Sequence, residues 1–273
     1  SEPGLPVSGA QQASRKDMPE IRQPASSSRL AALQAANEKA AHRCVGLVVE
    51  TRPDTVSVEN LVELRELGCT KVQIGVQSID SGLLAANGRR ETPETIADAF
   101  SLLRLFGFKI HAHAMLNLYR SDPARDLATY ETLMTDQAFI PDEVKLYPCM
   151  LIAGTQLERL FDAGTWVPYD EETLLELLGR CMLATPPYTR VSRMIRDFSA
   201  SDIVAGSRKA NMRQLVEERI AARGKRLDEI RFREVSGAEV DFDSLELKEI
   251  EYATSVTDEI FLQWVTPTGS LAG

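Results

Sequence analysis

From residue 44 onward, short apolar runs alternate with amphipathic stretches. Five runs have strand length and a β-branched content: residues 45–49, 72–77, 110–115, 144–147 and 191–195. Helical periodicity fills the gaps. Ser57 caps a predicted helix in which Val58, Leu61, Leu64 and Leu67 fall three apart, and Gly68 ends it. Thr92 followed by Pro93 starts another, with Ile96, Ala99, Phe100, Leu103 and Phe106 on one face and Gly107 as its stop. Residues 123–134 and 170–182 repeat the pattern. Strand–helix alternation predicts an α/β fold with a parallel sheet and helices packed outside it. Right-handed crossovers leave a Rossmann-type sheet or a (β/α) barrel.

The two ends of the chain read differently. Residues 1–28 are rich in Ser, Pro, Gly, Ala and Gln and are expected to be a linker or a long loop. A helix is expected from residue 28 or 29 to 42, with Leu30, Leu33 and Ala36 on a weak apolar face. A full eight-unit barrel takes roughly 250 residues. Only about five units fit into residues 44–200, so the barrel is expected to be partial. Residues 201–240 read as a basic connecting segment. Residues 245–253 and 259–265 are strand-like, and with a turn at 266–269 they predict the opening of a separate antiparallel sheet.

Composition narrows the partners. The 273 residues carry a net charge of −9, with 44% hydrophobic and 26% charged residues. A uniformly basic nucleic-acid coat is excluded. No apolar run approaches the roughly 18 residues of a membrane span, and the first residues lack signal-peptide order. There is no initiator Met, so the chain is expected to be a piece of a longer one. Cys44, Cys69, Cys149 and Cys181 form no CxxC pair, and the simplest setting is a reduced cytoplasm. Three of them (Cys44, Cys69 and Cys149) fall on or beside the strand runs and are expected to be buried thiols. Charge is uneven: Arg190 through Glu234 contains twelve Lys/Arg and seven Asp/Glu, about +5 against −14 elsewhere. That segment suits an anionic partner such as RNA, or a solvated helix laced with i,i+4 ion pairs.

Barrels of this kind place chemistry at strand C-termini. Glu50 to Asp54, Gln77-Ser78, Lys145 with Tyr147, and Arg196-Asp197 all fall at such ends. His111 and His113 are two apart, so on a strand both point the same way. A His-x-His pair suits zinc, but no local third ligand accompanies it, and barrel-lining imidazoles are the expectation. Convergence of all five clusters on one rim predicts an enzyme pocket.

The same residues carry a resemblance. Val49-Glu50-Thr51-Arg52-Pro53-Asp54, followed by Gly68 to Ser78 (GCTKVQIGVQS), resembles radical S-adenosylmethionine enzymes. HAHAMLNL from His111, PDEVKLYPC from Pro141, Gly154-Thr155, Pro168-Tyr169, RVSRMIRD from Arg190, NMRQL from Asn211 and RFREV from Arg231 resemble the family of the catalytic subunit of Elongator. The resemblance implies a partial (β/α) barrel of the radical S-adenosylmethionine type over residues 29–200. The opening of a GNAT-like α+β acetyltransferase domain, cut short, would follow over residues 241–273. It implies modification of the tRNA wobble uridine at carbon 5, from acetyl-CoA and a 5′-deoxyadenosyl radical generated at a [4Fe–4S] cluster. It assigns Glu50, Arg52 and Gln77 to S-adenosylmethionine, His113, Lys145 and Tyr147 to catalysis, and Arg193, Arg196, Asn211 and Arg213 to tRNA. The implied partners are tRNA, acetyl-CoA, and a homodimer or Elongator-type subunits, with no membrane.

The departures are equally specific. The family's grouped cluster cysteines are missing from this chain. Gly224 to Ile230 reads GKRLDEI, with Leu227 where a cysteine is expected, so no zinc or other metal site is expected. The loop after His113 reads Met115-Leu116-Asn117-Leu118-Tyr119-Arg120 without the family's prolines and glycine. These losses admit alternatives: a tRNA-binding scaffold without a cluster, or a protein lysine acetyltransferase.

Overall fold

The computed structural model describes residues 26–195, 203–206, 209, 211–237 and 239–273. The chain divides into two compact units, Ser1–Val45 and Gly46–Gly273. Most of the expected 1–28 loop lies outside the described residues. In the first unit, helix α1 spans Ser27–Glu38, and the Ser26 hydroxyl accepts from the Arg29 amide at 3.3 Å. It ends short of the predicted residue 42. Asn37 then closes a loop, accepting from the Cys44 amide at 2.8 Å and donating to the Cys44 carbonyl at 2.9 Å.

The second unit is built on five parallel strands: β1 (Val48–Thr51), β2 (Lys71–Gln77), β3 (Lys109–Leu116), β4 (Glu143–Pro148) and β6 (Arg190–Arg193). Their spatial order follows chain order without a reversal. A doubly wound Rossmann sheet would reverse at its switch point, so this order is that of a barrel arc. The connections are α2 (Val58–Glu66), α3 (Ser81–Ala86) with α4 (Pro93–Leu105), α5 (Pro123–Thr135), and α6 (Gln156–Asp162) with α7 (Glu171–Ala184). Ser57, Thr92, Asp122 and Asp170 each cap their helix by accepting a backbone N–H of the first turn. Gly68 and Gly107, both at positive φ, reverse the chain after α2 and α4.

Strand alternation explains the layers. Val72, Ile74 and Val76 of β2, Ile110, Ala112 and Ala114 of β3, and Val144 and Leu146 of β4 are buried under the helices in one hydrophobic core. The alternate positions, Lys71, Gln73, His111, His113, Glu143, Lys145 and Tyr147, therefore share the opposite face, the inside of the arc. That face is polar where a filled barrel would carry Val, Ile and Leu.

Several boundaries differ from expectation. The first strand begins at Val48, not residue 45. Val45 is exposed, and pairing with β2 starts only where Val48 meets Lys71. Glu50 is thereby a strand residue. Cys44, expected to be buried, is exposed, because it precedes the sheet. Two short strands, β5 (Leu151–Ile152) and β7 (Ile203–Ala205), pair antiparallel after β4.

Residues 201–240 do more than connect. Helix α8 (Met212–Ala222) places Met212, Val216 and Ile220 in the same core as the sheet, against Gly179 of α7. A one-turn helix α9 (Ile230–Arg233) follows. Strands β8 (Glu246–Ala253) and β9 (Asp258–Val265) form an antiparallel hairpin, as the tail pattern predicted. Their turn is at Thr254–Thr257, where the Thr254 amide donates to the Thr257 carbonyl at 2.8 Å. The turn expected at 266–269 instead sends the last residues back along β9. The hairpin leans on the barrel: Tyr252 stacks on Tyr188 with centroids 3.9 Å apart, and the Ser255 amide donates to the Gln137 carbonyl at 2.9 Å.

Candidate functional site

Inside the arc, at the C-terminal end of the strands, lies a cavity of about 490 Å³. Glu50, Gln77, His113, Lys145, Tyr147 and Arg193 line it, so one chamber collects six of the ten residues the motifs point to. Met115, Cys149 and Met150 complete much of the wall. The chemistry of the wall is cationic and acidic together: an ammonium and a guanidinium face one carboxylate.

One side chain organises the floor. Gln73 of β2 neighbours β3, and β4 lies beyond. Its Oε1 accepts from Lys145 Nζ at 2.6 Å and lies 3.0 Å from His113 Nε2. The other ring nitrogen, His113 Nδ1, is 3.6 Å from Glu50 Oε1. Burial lowers the pKa of Lys145, with Arg193 and Lys71 adding repulsion and Glu50 opposing. A lysine held this way exchanges its proton more readily than a surface lysine.

Beneath this layer, His111 Nε2 meets the Ser192 hydroxyl at 2.8 Å. His111 Nδ1 is 3.0 Å from Glu143 Oε2 but not aligned for a hydrogen bond, and Lys71 Nζ donates to the same oxygen at 2.9 Å. Burial first, then the cations Lys145 and Lys71 and the His113 ring, push His111 down to about 3. It is a neutral imidazole at physiological pH. Gln73, Glu143 and Ser192 were not singled out from sequence, whereas His111 was noticed there as the partner of His113. The signal available was the alternation itself: Lys71, Gln73, Glu143 and Lys145 share the parity of the polar positions already noticed.

Backbone geometry marks the same place. Gln77, the last residue of β2, adopts φ 65°, and the register between β2 and β3 shifts between Ile74 and Gln77. A non-glycine residue there is strained, and the shift turns Gln77 into the chamber. Gly75 is tight: an added Cβ would sit 3.3 Å from Gln77 Nε2.

The remaining candidates lie elsewhere. Arg52 lies outside the chamber wall, paired with Asp54 at 3.1 Å and with the buried Glu91 at 2.9 Å. Arg213 is held by Glu217 at 2.6 Å and by Glu229, and donates to the Val191 carbonyl at 2.7 Å. Asn211 begins α8 beside a surface hollow that also contains Arg213, Arg231, Glu217 and Glu234. Arg196 and Asp197 lie outside the described residues.

The thiols do not group. Cys69 and Cys181 are sealed in the core, and burial raises the half-buried Cys149 to about 11. A [4Fe–4S] cluster takes three or four thiolates, and these four residues do not fit it. Among the described residues there is also no group of three His, Cys, Asp or Glu side chains able to hold a metal ion. No helix among them is long and apolar enough to cross a membrane.

A second cavity, of about 510 Å³, opens at the opposite end of the strands, lined by Val48, Lys71, Lys109, Glu143, Arg190 and residues of the hairpin. Its cations are matched: Lys71 by Glu143, Lys109 by Asp142, Arg190 by Glu234.

Residues 141–222 match the radical S-adenosylmethionine C-terminal domain family. The chain is 35% identical over 240 residues to a tRNA uridine(34) acetyltransferase of Dehalococcoides mccartyi, covering 87% of this chain and 52% of that protein. It is 32% identical to human Elongator complex protein 3 over 235 residues, covering 85% of this chain and 43% of that one. The solved structure of the archaeal Methanocaldococcus infernus Elp3, with an N-terminal deletion, superposes with a TM-score of 0.82 at 35% identity, covering 87% of this chain and 57% of that one. The chain thus spans about half the length of the curated relatives it matches.

Proposed function

The chain is a homologue of the tRNA uridine(34) acetyltransferases and of Elongator complex protein 3, and from that premise we propose that it takes part in C5 modification of the tRNA wobble uridine. The observation that carries this reading is the single chamber formed by Glu50, Gln77, His113, Lys145, Tyr147 and Arg193, within the region of homology.

The chamber suits a zwitterion. Lys145 and Arg193 attract a carboxylate and Glu50 an ammonium, the two charges of the methionine part of S-adenosylmethionine. That cofactor supplies an adenosyl radical only beside an iron–sulfur cluster, and the thiols of this chain do not fit one, so no radical step is assigned to these residues. What they do is bind and move protons. Tyr147 packs edge-on to His113, with centroids 6.2 Å apart, and offers a flat apolar wall against which a base can lie. Lys145 and His113 are poised as the acid and base for a substrate held over Gln73. Acetyl-CoA is the second substrate in this reading, and the hairpin β8–β9 is assigned to the acetyltransferase-like domain. Arg193 is the candidate tRNA contact that faces the chamber; Arg213 is committed to the fold. A cytoplasmic setting follows from the tRNA substrate.

The cysteine pattern favours a second reading, a tRNA-binding scaffold without a cluster. Disrupting the gene and digesting total tRNA to nucleosides separates the two. Loss of the C5-modified wobble uridine, restored by the intact gene but not by its Lys145→Met form, supports the enzyme. Unchanged nucleosides would sink it.

A further inference from the structure

We propose that Gln73 is a positioning residue that fixes the His113 tautomer, so that His113 gains and loses its proton at Nδ1, the nitrogen beside Glu50. Lys145 sets which way the Gln73 amide faces. An ammonium only donates, so the group of Gln73 that receives it at 2.6 Å is the amide oxygen. The same oxygen lies 3.0 Å from His113 Nε2. Two acceptors do not bond, so Nε2 carries a hydrogen and donates it. The neutral ring then has its lone pair on Nδ1, 3.6 Å from Glu50 Oε1. Protonation at Nδ1 brings an N–H toward that carboxylate; deprotonation leaves a base on the same side.

The neighbours hold this arrangement in place. Lys145 and Arg193 stand on the cationic side of the chamber, and Glu50 is the acid facing them. His111, with its ring centroid 5.7 Å from that of His113, is kept neutral by its burial and by Lys71 and Lys145, so it adds no competing charge. Gln73 comes from β2, while His113 and Lys145 are register partners on β3 and β4. One amide thereby ties three strands together at the chamber floor. The catalytic meaning of the tautomer rests on the proposed function; the tautomer itself does not.

The chain has only three histidines, His42, His111 and His113, so nitrogen NMR of the imidazoles in the intact protein reads the site directly. A His113→Gln variant identifies its signals. In mildly alkaline solution the wild type is expected to show His113 protonated at Nε2 and bare at Nδ1. Gln73→Leu is expected to mix the two tautomers, with His111 unchanged, and Gln73→Glu, which keeps an acceptor, is expected to restore Nε2–H. A His113 proton found on Nδ1 alone, or on both nitrogens throughout, overturns the proposal, as does a folded Gln73→Leu protein with the wild-type pattern. The wild-type spectrum decides even where the leucine variant does not fold. If the tautomer is as expected while tRNA modification is unaffected by these variants, the functional reading fails and the positioning inference stands.

Discussion

The chamber and the α8–α9 segment are both rich in charge, yet they use it in opposite ways. In the chamber, Lys145 and His113 share one amide oxygen, and Glu50 lies 3.6 Å from the far nitrogen of the His113 ring. In the α8–α9 segment, arginine after arginine is matched by the fold. Arg213 meets Glu229 and Glu217, Arg219 meets Glu172, Arg223 meets Glu176, and Arg233 meets Gln263 at 2.7 Å. The segment that looks most like an RNA patch by count has spent much of its charge internally. A local surplus of cations therefore says less about binding than whether each cation still lacks a partner inside the protein.

The largest effect is expected where the segment is buried. Glu229 is fully buried, and its carboxylate accepts from the amides of Val191, Arg231 and Phe232 as well as from Arg213. Glu229→Ala strands three amide donors and takes from Arg213 one of the two carboxylates that hold it. A loss of about 3–5 kcal/mol is expected, read as a fall in the denaturation midpoint. Arg213→Ala should act in the same direction, by less, since it leaves the three amides satisfied. If Arg213→Ala instead weakens tRNA binding while the melting curve is unchanged, the contrast between the two regions collapses.

The chamber predicts the reverse pattern. Lys145→Met removes a donor whose charge burial disfavours, so the melting temperature should hold or rise slightly. Modification of tRNA should fall by about 10²-fold or more, the usual scale for a positioned proton donor. A large loss of stability with activity retained would move Lys145 into the same class as Arg213.

How far could these differences be read from the sequence? The five parallel strands and the four longer helices between them followed from periodicity and caps, because each is a local signal; the short α3 and α6 did not. The chamber residues followed in part from position at strand ends and in part from the family motifs. Glu229 did not: in GKRLDEI it looks like any surface acid, and only the tertiary fold brings Val191 and Arg213 to it. The ion pairs of α8 were also hidden. Glu172 and Glu176 lie on α7, 47 residues away in sequence from Arg219 and Arg223 respectively. The i,i+4 pairing expected along the helix accounts for Arg213 with Glu217 alone among the ion pairs seen there. Cys44 was misplaced because its apolar neighbours suggested a strand that begins only at Val48.

A smaller effect is expected from pH. In the unfolded chain His111 takes up a proton near its ordinary value of 6.5, and in the folded chain only at about 3. Between those values the unfolded state binds more protons. Stability from this group is therefore complete above about pH 6.5 and is lost as the pH falls toward 3. The slope of unfolding free energy against pH should drop by up to about 1.4 kcal/mol per pH unit in His111→Asn. Equal slopes for the two proteins would mean that His111 is charged or exposed in solution.

The smallest effect belongs to the surface of α8. Arg223 bridges to Glu176 at 2.6 Å, but half of its side chain is exposed and both partners face water. Holding two long side chains together costs entropy that such a pair barely recovers, and salt screens what remains. Arg223→Ala should therefore leave the melting temperature almost unmoved, and any shift should vanish on adding salt. Arg213→Ala sits on the same helix yet removes a partner of a fully buried carboxylate, so its cost should persist in salt. Measuring both at low and high ionic strength isolates burial as the cause. If the two variants respond alike, then pairing with Glu229 is not what distinguishes the inner face of this helix from its outer one.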